Sequence, residues 1–323
     1  MKRQFRSCLA EQIKEFVYSK KASKKWNQTY EDNLHCFDNY CANQHPNAST
    51  LTDEMLEWCN ERPTETGNSC KGRIAAVSGF VKYAQKKGWT EIAPPQAPPT
   101  KPCTYVPHAF TKDELRNFFQ VCDKHVVYAF KQQNSITGKL NRLELPVYYR
   151  LLLSTGMRTN EARWLNRSDV NLSEGVININ QTKGVVQHRV ALHESMLSLL
   201  KIYDKKMNEI MPNRTCFFPN RNDSFHPKHW AEYLFRIIWK TISKEPARLY
   251  DLRSNYAVVN VTRWKELGFE IHDKLLYLSR TMGHRQISST YGYFNLSPAL
   301  ADKIKNLTEE SFNNLLPKLP DYE

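Results

Sequence analysis

The chain has 323 residues, and its 46 Lys and Arg against 33 Asp and Glu give a formal net charge of +13 at pH 7. With 41% hydrophobic and 12% aromatic residues it is too apolar for a disordered basic tail, and its 11 glycines and 16 prolines are too few for a collagen-like or low-complexity chain. The length predicts about two domains. The excess of positive charge favours a polyanionic partner: DNA, RNA or an anionic membrane surface.

Neither a membrane segment nor a metal motif is evident in the sequence. No run approaches the ~20 apolar residues of a membrane span, and the basic, amphipathic start does not resemble a signal peptide. We therefore expect a cytoplasmic protein without a membrane partner. The eight cysteines include no Cys-x-x-Cys pair, and the spacing of Cys36, Cys41 and His45 matches no common zinc finger. Reduced, mostly buried thiols are expected instead.

A proline-rich segment predicts the domain boundary. Residues 93–102 contain five prolines, which disfavour both helix and sheet and favour an extended linker. We predict a helical domain over 1–93, a linker over 94–107 and a second domain over 108–323. The net charge is +4 up to residue 107 and +9 beyond it, so the basic character belongs to folded surfaces rather than to a tail.

The first domain has apolar residues at helical spacing throughout. A short helix is expected over residues 51–59, with Thr52 as its N-cap. The last helix contains Cys70, Ile74, Val77 and Val81 on one face. Its basic residues are candidates for DNA contact, although a solvated face is the alternative; they are Lys71, Arg73, Lys82, Lys86 and Lys87.

The second domain mixes helices with one hairpin. Thr111 and Glu114 form a capping box that opens a helix, and Leu145–Ser154 predicts a buried helix ending at Gly156. Thr159 is a candidate cap for the helix that follows. Residues 176–180 and 185–192 alternate and are β-branched, which predicts an antiparallel hairpin with a polar tip around Lys183. Further helices are predicted over 194–211, 227–243, 252–267 and 273–281, so the fold is mainly α with a small antiparallel β-sheet.

Four short clusters in this domain contain residues suited to chemistry on an anion. Arg158 follows Thr155-Gly156-Met157, where a guanidinium and helix N–H groups favour an anion. Lys183 lies on the hairpin tip, and Tyr250-Asp251-Leu252-Arg253 opens a helix. The fourth cluster runs from Met282-Gly283-His284-Arg285 to Tyr291-Gly292-Tyr293. Each has an ordinary structural interpretation when taken alone.

Together, the order and local setting of these residues resemble the tyrosine recombinase (phage integrase) family. The family pattern is an Arg in a Thr-Gly-x-Arg-x-x-Glu turn, a Lys on a β-hairpin, His-x-x-Arg, Gly-His, and a Tyr nine residues after that His. The matching residues are Arg158 with Glu161, Lys183, Arg253, His284 and Tyr293. The first domain is similar to the family's helical core-binding domain. The chain departs from the pattern at Tyr250, which stands where the family has the His of His-x-x-Arg.

The resemblance implies a DNA strand exchange without metal, ATP or another cofactor. Tyr293 is expected to attack a phosphodiester and form a 3′-phosphotyrosine, while Lys183 protonates the 5′-oxygen. Arg158, Arg253 and His284 are expected to donate to the phosphate oxygens. A supporting role is expected for Glu161, which orients Arg158 or the helix after it. Arg285 is a candidate DNA contact. Tyr250 is expected to be a weakened but usable donor, because a phenol can donate one hydrogen bond but is a poor base at neutral pH.

The implied partners are double-stranded DNA with specific recombination sites, other copies of the chain (a tetramer in synapsis) and an accessory directionality factor. The apolar stripe that begins at Leu296 is expected to pack on its own domain or on a neighbouring subunit, in a tail over about 297–323. Tyr291 competes with Tyr293 as nucleophile. Integration, excision or transposition of a mobile element is the favoured role; an Xer-like resolvase, a topoisomerase and a non-catalytic DNA-binding member are the alternatives.

Overall fold

The computed structural model describes residues 4–23, 26, 28–99, 105–125, 135–180, 187–266 and 271–291. The chain divides into two compact units, Met1–Thr104 and Tyr105–Glu323. Each has its own hydrophobic core. No helix in these ranges is long and apolar enough to cross a bilayer.

Unit 1, Met1–Thr104, is helical. Its helices are α1 (Ala10–Ala22), α2 (Gln28–Gln44) and α3 (Gly67–Lys86), with a 3₁₀ helix over Glu54–Cys59 between α2 and α3. The core forms where the apolar faces meet, with Phe16, Phe37 and Phe80 buried side by side with aliphatic neighbours. The predicted helical period is confirmed for α3, because Cys70, Ile74, Val77 and Val81 are all buried.

The segment around residue 55 differs from its prediction. The expected helix over 51–59 is a 3₁₀ helix that begins at Glu54, and Asp53, not Thr52, occupies the N-cap position. Met55 and Trp58 are buried three residues apart. That spacing suits three residues per turn, the geometry of short 3₁₀ pieces.

Unit 2, Tyr105–Glu323, is mainly helical with one small sheet. Its helices are α4 (Lys112–His125), α5 (Ile136–Thr155), α6 (Thr159–Arg163), α7 (Glu194–Ile210), α8 (Trp230–Trp239), α9 (Asp251–Glu266), α10 (Ile271–Thr281) and α11 (Ser288–Tyr291). The strands are β1 (Val170–Asn171), β2 (Val176–Ile179) and β3 (His188–Ala191). They pair antiparallel in the order β1-β2-β3, with Ile177 opposite Val190 and Ile179 opposite His188. The predicted fold class is confirmed.

Capping decides where the helices of unit 2 begin. The predicted box on α4 forms, with Glu114 N–H donating to Thr111 Oγ1 at 3.1 Å and Thr111 N–H donating to Glu114 Oε2 at 2.9 Å. The cap of α6 is Arg158 rather than Thr159. The reason is that Arg158 N–H donates to Glu161 Oε2 at 2.9 Å, which closes the first turn one residue earlier.

The core of unit 2 is built on α5. Tyr148 and Tyr149 are almost fully buried on this helix and pack among aromatic residues from α4, α8 and the loop around Phe218. A separate small cluster joins α9 to α10 through Val261, Leu278 and other apolar residues. The ends of α5, α9 and α10 converge on the residues described next.

Candidate active site

Arg158 is held at the start of α6 by a carboxylate and a main-chain carbonyl. Its Nη1 donates to Glu161 Oε1 at 2.6 Å, and its Nη2 donates to the Gly283 carbonyl at 2.7 Å. The Glu161 side chain is only 1% exposed, whereas that of Arg158 is 26% exposed. A buried carboxylate therefore aims a guanidinium that remains accessible to a ligand.

Arg253 lies in the first turn of α9 and is almost completely buried. Its Nη1 donates to the Gly156 carbonyl, and its Nη2 donates to the Met282 carbonyl at 2.7 Å. The same Nη2 lies 2.8 Å from His284 Nε2. One guanidinium thus connects the Thr-Gly turn, the Gly-His turn and the imidazole.

His284 is held in one tautomer by two partners. Because a guanidinium can only donate, His284 Nε2 accepts from Arg253, and the imidazole proton resides on Nδ1. Nδ1 lies 2.7 Å from Thr290 Oγ1, which accepts that proton's hydrogen bond. Burial, with the nearby charges of Arg253 and Arg158, lowers the pKa of His284 to about 4. The ring is therefore neutral at pH 7.

Two glycines allow these turns to approach closely. Gly156 and Gly283 adopt φ values of +64° and +65°, in the left-handed region that glycine enters without penalty. A Cβ on Gly283 would lie 2.5 Å from the His188 ring and 3.0 Å from Arg158 Nη1, and a Cβ on Gly156 would overlap the ring of Tyr256. The Gly283 carbonyl accepts from Arg158 and the Gly156 carbonyl accepts from Arg253. The lack of a side chain at each glycine therefore lets the two turns pack closely while their carbonyls orient the guanidiniums.

The structure therefore brings Arg158, Glu161, Arg253 and His284 together, although the sequence separates the first from the last by more than a hundred positions. Tyr250 lies immediately before α9 and is 44% exposed. Lys183, Tyr293 and the predicted tail over 297–323 lie outside the described residues. The backbone of Tyr291 ends α11.

Three residues at this site escaped sequence reasoning. The side chain of His188 on β3 is 6% exposed, with Nε2 4.0 Å from Glu161 Oε2. His188 lies two residues before the buried Val190, so both side chains point to the inward face of β3. A polar residue two positions from an apolar one in a predicted strand was therefore the sequence feature that could have identified it. Thr290 is fully buried beside His284. No local pattern distinguishes it from its serine neighbours.

Asp251 is the third. It is 1% exposed and accepts from Tyr105 Oη at 2.5 Å and from the backbone N–H groups of Arg248 and His108 at 2.8 and 3.3 Å. Burial and the neighbouring carboxylate raise the pKa of Tyr105. The first residues of unit 2 are thus attached to the helix start that precedes Arg253 by two positions.

The predicted DNA contacts separate into two groups. Lys71, Lys82, Lys86, Lys87 and Arg285 are exposed. Lys87 also pairs with Glu15 at 2.8 Å.

Arg73 requires a correction. It is 7% exposed, pairs with Glu65 and donates to the carbonyls of Trp58 and Asn60. The bond to Arg73 lowers the pKa of Glu65 to about 2. Because these contacts fold the guanidinium into unit 1, its role is to hold the 3₁₀ helix to α3 rather than to contact a ligand.

No metal-binding group appears in the described part of the chain. There, no three or more His, Cys, Asp or Glu side chains cluster as ligands. The described cysteines are free thiols, and burial raises the pKa of Cys41 to about 12 and that of Cys59 to about 11. Such thiols are unreactive at neutral pH.

Solved structures with a similar fold are site-specific recombinases and integrases. An XerH site-specific recombinase bound to palindromic difH substrate aligns with a TM-score of 0.59 and 19% identity, over 87% of this chain and 79% of that one. A lambda integrase dimer bound to a COC′ core site aligns with a TM-score of 0.58 and 17% identity, over 88% and 76%. The fold is that of the two-domain tyrosine recombinases.

Sequence relationships give the family. Residues 109–299 match the model of the phage integrase family. A protein of Sinorhizobium fredii (strain NBRC 101917 / NGR234) that bears the name integrase/recombinase y4rB is 26% identical over 273 residues, which cover 80% of this chain and 83% of that protein. A second protein of that strain, named integrase/recombinase y4rE, is 24% identical over 70% of this chain and 72% of its own length. The chain belongs to the phage integrase family and is a tyrosine recombinase.

Proposed function

We propose that the protein is a site-specific DNA recombinase that cleaves and rejoins strands through a 3′-phosphotyrosine, and that it serves integration, excision or transposition of a mobile element. The observation that carries the proposal is the convergence of Arg158, Arg253 and His284, linked by hydrogen bonds of 2.7–2.8 Å through Gly283, Met282 and each other. Two guanidiniums beside one imidazole form a donor cluster suited to the non-bridging oxygens of a phosphodiester.

The reaction balances without a metal or nucleotide. Tyr293 Oη gives up its proton to solvent and forms a bond to phosphorus as the bond from phosphorus to the 5′-oxygen breaks, and Lys183 gives that oxygen a proton. Arg158 and Arg253 stabilise the charge that develops on the equatorial oxygens. A free 5′-hydroxyl then attacks the phosphotyrosine, which restores the phosphodiester and releases the phenol. Tyr250, exposed beside Arg253, donates one hydrogen bond to the same phosphate.

The partners proposed are duplex DNA and further copies of the chain. The lambda integrase structures that share this fold include a dimer on a core site and a tetramer on a Holliday junction. A Tn1549 transposon integrase in complex with a circular intermediate DNA shares it too, with a TM-score of 0.54. We propose the same kind of assembly here, coupled through the tail beyond residue 297, and with an accessory directionality factor.

A suicide substrate tests the proposal. Duplexes that the purified protein selects from genomic fragments of its source would be nicked next to each candidate position, so that the cleaved strand is lost and the covalent adduct accumulates. We expect an adduct with the unaltered protein and with Tyr291→Phe, and none with Tyr293→Phe. Arg158→Ala is expected to bind the duplex but to cleave it ~10²–10³-fold more slowly.

The outcomes separate the alternatives. An adduct that persists in Tyr293→Phe and disappears in Tyr291→Phe would show that Tyr291, not Tyr293, is the nucleophile. If specific binding occurs without an adduct at any nick position, the chain is a non-catalytic DNA-binding member of the family.

A further inference from the structure

We propose that Thr290 is a positioning residue that holds the imidazole of His284 in whichever tautomer the reaction stage requires. The proposal rests on the proposed function, because it concerns how His284 serves the phosphate. Its basis is the hydrogen-bond chain Arg253–His284–Thr290, in which the two links measure 2.8 and 2.7 Å.

The hydrogen-bond chain fixes the direction of each of its bonds. Arg253 Nη2 donates to His284 Nε2, so the ring carries its proton on Nδ1 and donates to Thr290 Oγ1. In this state His284 Nε2 is an acceptor, and it has no proton to offer to a phosphate oxygen. The role expected for His284 as a third donor is therefore not available until the tautomer changes.

A bound phosphate supplies the reason for the change. Arg253 would turn its donors toward the phosphate oxygens, which removes the donor that Nε2 had accepted from. The half-buried imidazole can then take a proton from solvent on Nε2 and give up its Nδ1 proton to solvent while the ring is turned away from Thr290, with no net change in its charge. Nε2–H would then donate to the phosphate. Nδ1, which donated its proton's hydrogen bond before the change, would carry no proton and would need a donor as its partner.

A hydroxyl is the side-chain group that meets both needs. Thr290 Oγ1 can accept from Nδ1–H or, after rotation of its own proton, donate to bare Nδ1. A carboxylate could only accept, and an apolar side chain could do neither. Thr290 is 0% exposed, so water is not at hand to replace it. The neutral state that the tautomer argument requires agrees with the lowered pKa of His284, about 4.

Paired substitutions at position 290 test this role. Thr290→Ser keeps the hydroxyl, and Thr290→Val keeps the shape without it. We expect adduct formation on the nicked substrate to be about tenfold slower in Thr290→Val, with duplex binding unchanged, and to return to within about twofold in Thr290→Ser. Thr241→Val is the matched control, because it removes a hydroxyl that donates 2.7 Å to the carbonyl of Ile238, outside the candidate site.

The tautomer itself is read from ¹⁵N shifts of the histidine ring, assigned by comparison with His284→Gln. We expect Nδ1–H in the free protein, and Nε2–H when the Tyr293→Phe variant binds its duplex. With Thr290→Val added, the bound form should lose or weaken the Nε2–H signal. A free protein with Nε2–H, or a Thr290→Val rate equal to that of Thr290→Ser, would overturn the role of Thr290.

The spectrum also separates the two proposals. If the unaltered protein forms no adduct, the proposed function fails. The role of Thr290 is then tested on the spectra of the free protein: an Nδ1–H signal that weakens or shifts in Thr290→Val supports it, and an Nε2–H signal, or an Nδ1–H signal unchanged in Thr290→Val, contradicts it.

Discussion

Donors of both Arg158 and Arg253 face main-chain carbonyls. These are the carbonyls of Gly283, Gly156 and Met282, all in the two turns that precede α6 and α11. In the proposed reaction, a phosphate would replace such bonds rather than fill an empty space. Since that exchange would be nearly even in hydrogen bonds, the guanidiniums would be oriented in advance at little cost in affinity.

Gly283→Ala tests the close packing at the residue scale. A left-handed alanine costs about 1–2 kcal/mol by itself, and at position 283 the new methyl group must also displace His188 or Arg158. We expect urea denaturation to show that the free energy of unfolding falls by about 1–3 kcal/mol more than this backbone strain alone would cause. Gly88→Ala is the control, because Gly88 has φ +72° and nothing within 4 Å of its added Cβ. Equal losses at the two positions would contradict the packing.

The lowered pKa of His284 predicts a pH dependence of stability. The ordinary pKa of 6.5 applies to the unfolded chain and about 4 to the folded one, so below pH 6.5 protons bind mainly to the unfolded state. Stability is therefore lost as the pH falls from about 6.5 toward 4. Between pH 7 and pH 5 we expect the unaltered protein to lose about 1–2 kcal/mol more than His284→Gln in denaturant titrations. Parallel losses in the two proteins would contradict the shift.

At the scale of elements, α9 is the helix on which the site depends most. It carries Arg253, and its first residue, Asp251, is the acceptor that fixes the entry of the chain into unit 2. The position of this helix start is therefore set by contacts from residues that precede it by more than a hundred positions. A substitution at Tyr105 is therefore expected to alter the start of α9 through the hydrogen bond to Asp251.

Tyr105→Phe tests this attachment. The substitution leaves a buried carboxylate with one donor fewer, which we expect to lower the free energy of unfolding by about 1–3 kcal/mol. Tyr277→Phe, at a tyrosine that is 65% exposed, should change it by less than about 0.5 kcal/mol. Urea denaturation of both variants gives the comparison. A loss at Tyr277 as large as that at Tyr105 would show that the bond to Asp251 is not the cause.

Some helices and strands could be predicted from the sequence, and the start of α5 could not. The amphipathic helices of unit 1 and the hairpin were readable because their apolar residues repeat with a period of 3.6 or 2. The start of α5 was not, because Asn141 and Glu144 interrupt its apolar pattern. Both are buried, and their partners are distant in sequence: Asn141 Oδ1 accepts from Trp230 Nε1 at 2.7 Å, and Glu144 Oε2 lies 2.8 Å from His226 Nε2. A polar residue that finds its partner 80 positions away has no local signature.

The candidate site divides in the same manner. Arg158, Arg253 and His284 could be selected because each lies in a short motif with a recognisable turn. His188 and Thr290 could not, because their significance comes from Glu161, Gly283 and His284, which reach them only after folding. Arg73 is the reverse case. Its position among basic residues of α3 predicted an exposed DNA contact, but it pairs with Glu65 and is buried.

At the scale of the whole molecule, the charge of +13 is spread over both units. In unit 1 the exposed lysines of α3 remain as the proposed DNA contacts after Arg73 is removed from the set. Each lysine that neutralises a phosphate contributes about 0.9 to the slope of log affinity against log salt concentration. The proposal is therefore quantitative.

Replacing Lys71, Lys82 and Lys86 with alanine should reduce that slope by about 2–3 in duplex-binding titrations. Lys201, Lys205 and Lys206 on α7, replaced together, remove the same charge from another exposed face and serve as the control. If the two triple variants have equal slopes, net charge rather than the α3 surface determines the affinity.

The bond between Tyr105 and Asp251 also makes the opening turn of α9 sensitive to remote substitution, two residues from Arg253. Substitutions at position 105 are thus a means of tuning the proposed phosphate donor without altering any side chain proposed to contact DNA.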